Sequence, residues 1–194
     1  MSDVITVATP LDDGLIDKLT TGVRVLINGI IYTARDAAHQ RLMELIDHGE
    51  KLPFEPRGQV IYYVGPAPPK PGMAMGAAGP TSSYRMDPYA PALMKLGLKA
   101  MIGKGQRGPQ VLEALKRHRA VYLAATGGAG ALLAASIKKS RIIAYEDLGP
   151  EAIREFTVEN FPVIVANDAF GGDIFKQGQS QYAQPELAGA LTKD

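Results

Sequence analysis

The sequence predicts an α/β domain in which a largely parallel sheet is covered by helices. Three observations carry that expectation. β-branched, strand-like runs alternate with segments of helical period along nearly the whole chain. Glycine-rich loops follow several of the strand-like runs, as at Gly103-Lys104-Gly105 and Thr126-Gly127-Gly128-Ala129-Gly130. Hydrophobic residues make up 46% of 194, enough to bury a substantial core.

Residues 4–9 read as a short strand. Residues 12–20 place Leu15, Ile16 and Leu19 at helical spacing among acidic residues, and Gly22 marks a stop. A strand over 23–27 is followed by Asn28-Gly29, a turn signal, and a second short strand over 30–32. A helix is expected over 34–48, with Thr33 as N-cap and Gly49 just past its end. Ala38, Leu42, Leu45 and Ile46 form its buried stripe. Residues 59–64 make a β-branched and aromatic strand. Residues 65–80 hold five prolines and four glycines, and an irregular segment of that length is usually functional or disordered. The second half reads as helix 88–96, strand 99–102, helix 110–119, strand 120–125, helix 131–139, strand 142–145, helix 151–155 and a buried last strand, 161–166. One domain is expected over residues 1–177, with a polar tail at 178–194.

Twenty-one basic residues against 20 acidic ones leave a formal charge of +1, which gives no general pull toward nucleic acid or an anionic membrane. Anion binding must therefore be local. No apolar run approaches the ~18 residues needed to span a bilayer. The N-terminus shows no basic region followed by an apolar stretch, so a cytoplasmic protein is expected. The cysteine count is zero. That excludes disulfides, thiolate catalysis and thiolate ligation of zinc or an iron–sulfur cluster by this chain. His39, His48 and His118 lack metal-ligand spacing, so no metal site of the chain's own is expected.

Ligands of such sheets sit at loops that follow strand C-termini. Gly103-Lys104-Gly105 sets an ammonium at a strand end between residues that let backbone approach a ligand closely. The plainer reading is a tight turn with its lysine in solvent. Arg107, just before a helix start, would share an anion with free backbone N–H groups. Thr81-Ser82-Ser83-Tyr84-Arg85 places hydroxyls beside a guanidinium that suits a carboxylate. Its plainer reading is a turn capping the next helix, with Arg85 paired to Asp87. Arg35 opens a helix, where a cation opposes the macrodipole unless something anionic is near. Asp36, the adjacent residue, is badly placed to pair with it. Residues 126–130 imitate a dinucleotide-binding turn, but Leu133 stands where the third small residue belongs, so NAD binding is the weaker rival.

These pieces also fall into a known order. Ile31-Tyr32-Thr33-Ala34-Arg35-Asp36-Ala37-Ala38-His39, Gly79-Pro80-Thr81-Ser82-Ser83-Tyr84-Arg85-Met86-Asp87, Gly103-Lys104-Gly105-Gln106-Arg107 and Thr126-Gly127-Gly128-Ala129 resemble the β subunit of class I fumarases. In single-chain relatives this is the C-terminal domain. The resemblance runs in order over residues 4–176 and implies a swivelling β/β/α domain. It also implies reversible hydration of fumarate to (S)-malate, in an α2β2 assembly with an α subunit whose three cysteines hold a [4Fe–4S] cluster with one open iron. Arg35, Arg85 and Lys104 match positions that hold the substrate carboxylates, with Ser82 and Arg107 beside them, and Thr81 matches the proposed catalytic base. The tartrate dehydratase β subunit shares the architecture and is the alternative: Arg107 leans toward fumarase, Gly108-Pro109 toward tartrate dehydratase. A non-catalytic interaction protein is a third reading. The division of labour is chemically reasonable. Removing a proton α to a carboxylate builds charge on that carboxylate, and cations held there stabilise the transition state more than the ground state.

Overall fold

The computed structural model describes residues 4–183. Its strands are β1 (Val4–Ala8), β2 (Arg24–Thr33), β3 (Val60–Tyr62), β4 (Ala100–Gly103), β5 (Val121–Ala124), β6 (Ile137–Ala144) and β7 (Ile153–Asn167). Its helices are α1 (Asp13–Ile16), α2 (Asp36–Asp47), α3 (Ala90–Lys95), α4 (Pro109–His118), α5 (Gly130–Ala135) and α6 (Ile174–Tyr182).

β2, β3, β4 and β5 lie side by side and parallel, while β7 runs antiparallel to both β5 and β2. That double pairing closes five strands into a barrel. β1 extends it from β2, and β6 from β7. The expected largely parallel sheet covered by helices is corrected accordingly: the domain is mixed α/β with a closed, mixed barrel. The length of β7, 15 residues, makes closure possible. Its first part pairs with β6, its middle with β2 and its last residues with β5.

The two-residue period of each strand then sorts the core into an inside and an outside. Val60, Tyr62, Val64, Ala100, Ile102, Val121 and Leu123 join Phe156, Val158, Phe161 and Val163 in one buried cluster, the barrel interior. Ile61, Tyr63, Met101 and Tyr122 alternate with them and pack outward against Ala38 and Leu42 of α2, Leu93 of α3 and Val111 of α4. Burial on both faces explains why β3 to β5 read as continuous apolar runs.

Several local expectations change, among them the N-cap of α2, which is Arg35 rather than Thr33. Asn28-Gly29 is a register irregularity inside a single continuous strand rather than a turn between two. Gly29 has φ +102, and a Cβ there would stand 2.6 Å from Thr9 Oγ1, so the chain bulges where the Thr9 side chain crosses it. The helix expected over 131–139 stops at Ala135, because Lys138, Lys139 and Arg141 belong to the charged edge strand β6. Residues 151–155 are the end of a 3-10 segment (Glu146–Glu151) and the start of β7, where barrel pairing overrides local helix tendency. The polar tail expected from 178 begins inside α6, which Asp173 caps by accepting from Phe175 N at 3.0 Å. Residues 184–194 lie outside the described residues.

Candidate active site

Parallel neighbours deliver their following loops to one end of the barrel. Arg35 comes two residues after β2, the 65–82 segment follows β3, Lys104 directly follows β4, and Thr126-Gly127-Gly128 follows β5. The returning chain adds an extended stretch at that end. Thr81 N donates to Tyr63 O at 2.7 Å, Lys104 N to Thr81 O at 3.2 Å, and Ser83 N to Lys104 O at 2.9 Å. Ser82 thereby pairs in parallel with Lys104. Gly103 permits this approach, since a Cβ there would overlap Ser83 Oγ. Thr81 and Ser82 are half-buried and Lys104 is exposed. Gly127 lies alongside: a Cβ on it would stand 3.7 Å from Lys104 Cδ.

The two arginines meet at the N-terminus of α2. Arg85, on a 3-10 turn (Ser83–Met86), donates from Nε to Asp36 Oδ1 at 2.9 Å, and its Nη2 stands 2.8 Å from Asp36 Oδ2. Arg35 Nη2 is 3.8 Å from the same Oδ2 and 3.5 Å from Glu151 Oε1. Glu151 Oε2 accepts from Ala37 N at 3.0 Å, so this one carboxylate caps the helix and faces Arg35. Gly65 packs against Arg35, whose Nη1 would lie 2.7 Å from a Cβ there. The sequence did not point to Asp36, Glu151 or Gly65. The pairing of Arg85 with Asp87 weighed from the sequence does not occur, because Asp87 is committed elsewhere.

Arg107, expected from the sequence to meet the ligand, is packed inward. Its side chain is wholly buried. Nε donates to Asp87 Oδ1 at 2.6 Å, and the guanidinium carbon lies 4.9 Å from the Tyr122 ring centroid and 5.4 Å from that of Tyr63. Asp87 Oδ2 accepts from Gly108 N at 2.6 Å, at the start of α4. Tyr122 OH donates to Gly105 O at 2.9 Å and stands 2.9 Å from Ser83 Oγ, which ties the two candidate loops together from below. His39 is buried against Tyr63 and Tyr89, with Nδ1 donating to Arg35 O at 2.9 Å. Burial pushes its pKa down to about 4, the Arg35 carbonyl acting in the opposite direction. His39 is neutral at pH 7 and supports Arg35 from behind.

A profile of the fumarase C-terminus matches residues 2–178. The chain belongs to the fumarase C-terminus family. It is 41% identical over 175 residues to a protein of Salmonella typhimurium named fumarate hydratase class I, aerobic, covering 89% of this chain and 30% of that relative. It is 38% identical over 164 residues to fumarate hydratase 2 of Leishmania major, covering 84% of this chain and 29% of the relative. A protein of Methanocaldococcus jannaschii, provisionally named L(+)-tartrate dehydratase subunit beta, is 40% identical over 168 residues, covering 84% of this chain and 86% of its own length. The chain thus spans less than a third of the fumarate hydratases it matches and most of the archaeal subunit.

The residues of this chain do not fit an iron–sulfur cluster as ligands. The chain has no cysteine, and no group of three or more His, Cys, Asp or Glu among the described residues could hold a metal. Nor is any helix of the described residues long and apolar enough to cross a membrane. Gly130 of the dinucleotide-like loop packs backbone to backbone: its carbonyl accepts from Ala78 N at 3.0 Å, and a Cβ would stand 3.0 Å from Gly79 N. That glycine serves close packing on the 65–80 segment.

Proposed function

We propose that this chain is the β subunit of a two-subunit hydro-lyase that hydrates fumarate reversibly to (S)-malate. The observation that carries the reading is that Arg35 and Arg85 share Asp36 while Lys104 pairs with Ser82 next to Thr81, all on loops that follow parallel strands. Two arginines suit the carboxylate of a dianion, because a guanidinium meets carboxylate geometry with paired donors. Lys104 sits against Thr81, with no carboxylate at ion-pair distance among the described residues. Its charge is available to the carboxylate next to the carbon that loses a proton. Ser82 adds a hydrogen-bonding hydroxyl. The Thr81 oxygen takes the proton, and because a threonine hydroxyl is a weak base, a carboxylate from the partner subunit activates it. Arg107 is left out of the substrate contacts and serves as the buried brace of this loop pair.

The partner is a cysteine-bearing α subunit that carries the [4Fe–4S] cluster, in an α2β2 assembly in the cytoplasm. Exposed Lys104 and Arg85 beside a half-buried Arg35 on an open end of a barrel support this, since such a site excludes water only when a second surface covers it. The barrel with its outer helices is of the swivelling β/β/α kind, in which the domain moves as a body against the cluster-bearing part. The domain extends over residues 1–177. A second reading, the β subunit of L-tartrate dehydratase, is favoured by the 86% coverage of the archaeal subunit and uses the same residues on a hydroxylated dicarboxylate. The test is to mix the chain anaerobically with the iron-loaded α subunit and follow fumarate absorbance in the ultraviolet. A fall that neither subunit produces alone supports the reading, and a mixture that dehydrates tartrate but leaves fumarate untouched decides for the second.

A further inference from the structure

We propose that Asp36 is a positioning residue of this site, one that fixes Arg85 for the transition state while weakening the hold on the resting dianion. The inference rests on the hydro-lyase reading. Asp36 engages a single edge of the Arg85 guanidinium, taking Nε–H on Oδ1 at 2.9 Å and facing Nη2 with Oδ2 at 2.8 Å. Arginine has five N–H donors in a fixed plane, so Nη1 and the outer N–H of Nη2 remain as a second, carboxylate-matching edge. Among the described residues no other acceptor is recorded for Arg85, which is 40% exposed. Without Asp36 a long, flexible side chain on a short 3-10 turn would lose its orientation.

Helix capping does not explain this carboxylate. The N-cap residue of α2 is Arg35, and the free N–H of Ala37 is satisfied by Glu151 Oε2 at 3.0 Å. Asp36 Oδ2 faces Arg35 Nη2 at 3.8 Å as well, so it lies between two guanidiniums and offsets their repulsion. The same negative charge sits a few ångströms from where a substrate carboxylate would dock on Arg85, and it repels that carboxylate in the ground state. Orientation is realised in the transition state, repulsion in every bound state. Removing the charge while keeping the shape should separate the two effects.

The test uses the assembled complex with Asp36→Asn, reading kcat for fumarate hydration and the inhibition constant of succinate, a non-reacting dicarboxylate. The expected result is a kcat at least about tenfold lower together with succinate binding about threefold tighter. Asp36→Glu, which restores the charge, should return succinate binding to the wild-type value and recover part of kcat. Succinate binding that weakens or stays level as kcat falls would mark Asp36 as merely structural and overturn the inference. Unchanged kcat and inhibition constant would overturn it too, and in both cases the hydro-lyase reading would stand on the wild-type turnover. A wild-type complex that hydrates nothing removes the reading itself, and this inference with it.

Discussion

Arg107 and Asp87 form an ion pair in which the arginine side chain has no exposure, Nε to Oδ1 at 2.6 Å, directly beneath the loops that carry Lys104 and Arg85. Breaking a buried pair leaves an uncompensated charge, which costs about 3–5 kcal/mol. Asp87→Ala should therefore lower the unfolding free energy of the chain by that much in urea titrations. The double change Asp87→Leu with Arg107→Met should cost less than Asp87→Ala alone, since replacing both partners removes the stranded charge. Equal stability of Asp87→Ala and wild type would contradict the assignment of Arg107 as a brace.

Gly65 offers a way to move Arg35 without changing it. A Cβ there would stand 2.7 Å from Arg35 Nη1 and 3.3 Å from its Cδ, and a flexible side-chain end can yield where backbone cannot. Gly65→Ala should change the thermal midpoint by less than about 4 °C, the shift expected for roughly 1 kcal/mol in a domain of this size. The kcat/KM of the assembled enzyme should fall at least about tenfold. Full activity in Gly65→Ala would show that the Arg35 guanidinium need not occupy its place beside Glu151.

His39 makes an acid-side contribution to stability whose sign is fixed by its burial. Folding lowers its pKa from 6.5 to about 4. The contribution is thus fully present above pH 6.5 and is lost as pH falls through about 4, because the unfolded chain takes up a proton that the folded chain refuses. The loss over that window should be about 3 kcal/mol. His39→Gln keeps a donor for Arg35 O and cannot titrate, so its stability curve should lack that slope. Parallel curves for the two proteins between pH 4 and 6.5 would contradict a neutral, buried His39.

The placement of several candidate residues was legible because it follows a positional rule. Arg35 and Lys104 stand at the ends of strands whose apolar runs are unmistakable, and loops after parallel strands gather at one end whether the sheet is open or closed. What was not legible depends on distant partners. Asp36 lies beside Arg35 in sequence yet serves Arg85, 49 residues away, because α2 and the Ser83–Met86 turn pack together. Asp87, the local partner for Arg85, is drawn instead to Arg107 and the start of α4. The barrel itself was missed for a similar reason. The antiparallel pairings of β7 with β2 and β5 carry no local signature, and Ile153 to Glu155 read as helix until that pairing is known. Arg107 reads as an anion-binding cation in sequence, since the two tyrosine rings that bury it come from different strands.

The central claim is that cations from separate loops act on one dicarboxylate, and Arg85→Met in the assembled enzyme tests it most directly. Methionine keeps much of the side-chain bulk and removes the charge, so the expected result is a loss of about 100- to 1,000-fold in kcat/KM with the thermal midpoint nearly unchanged. Turnover close to that of the wild type would contradict it.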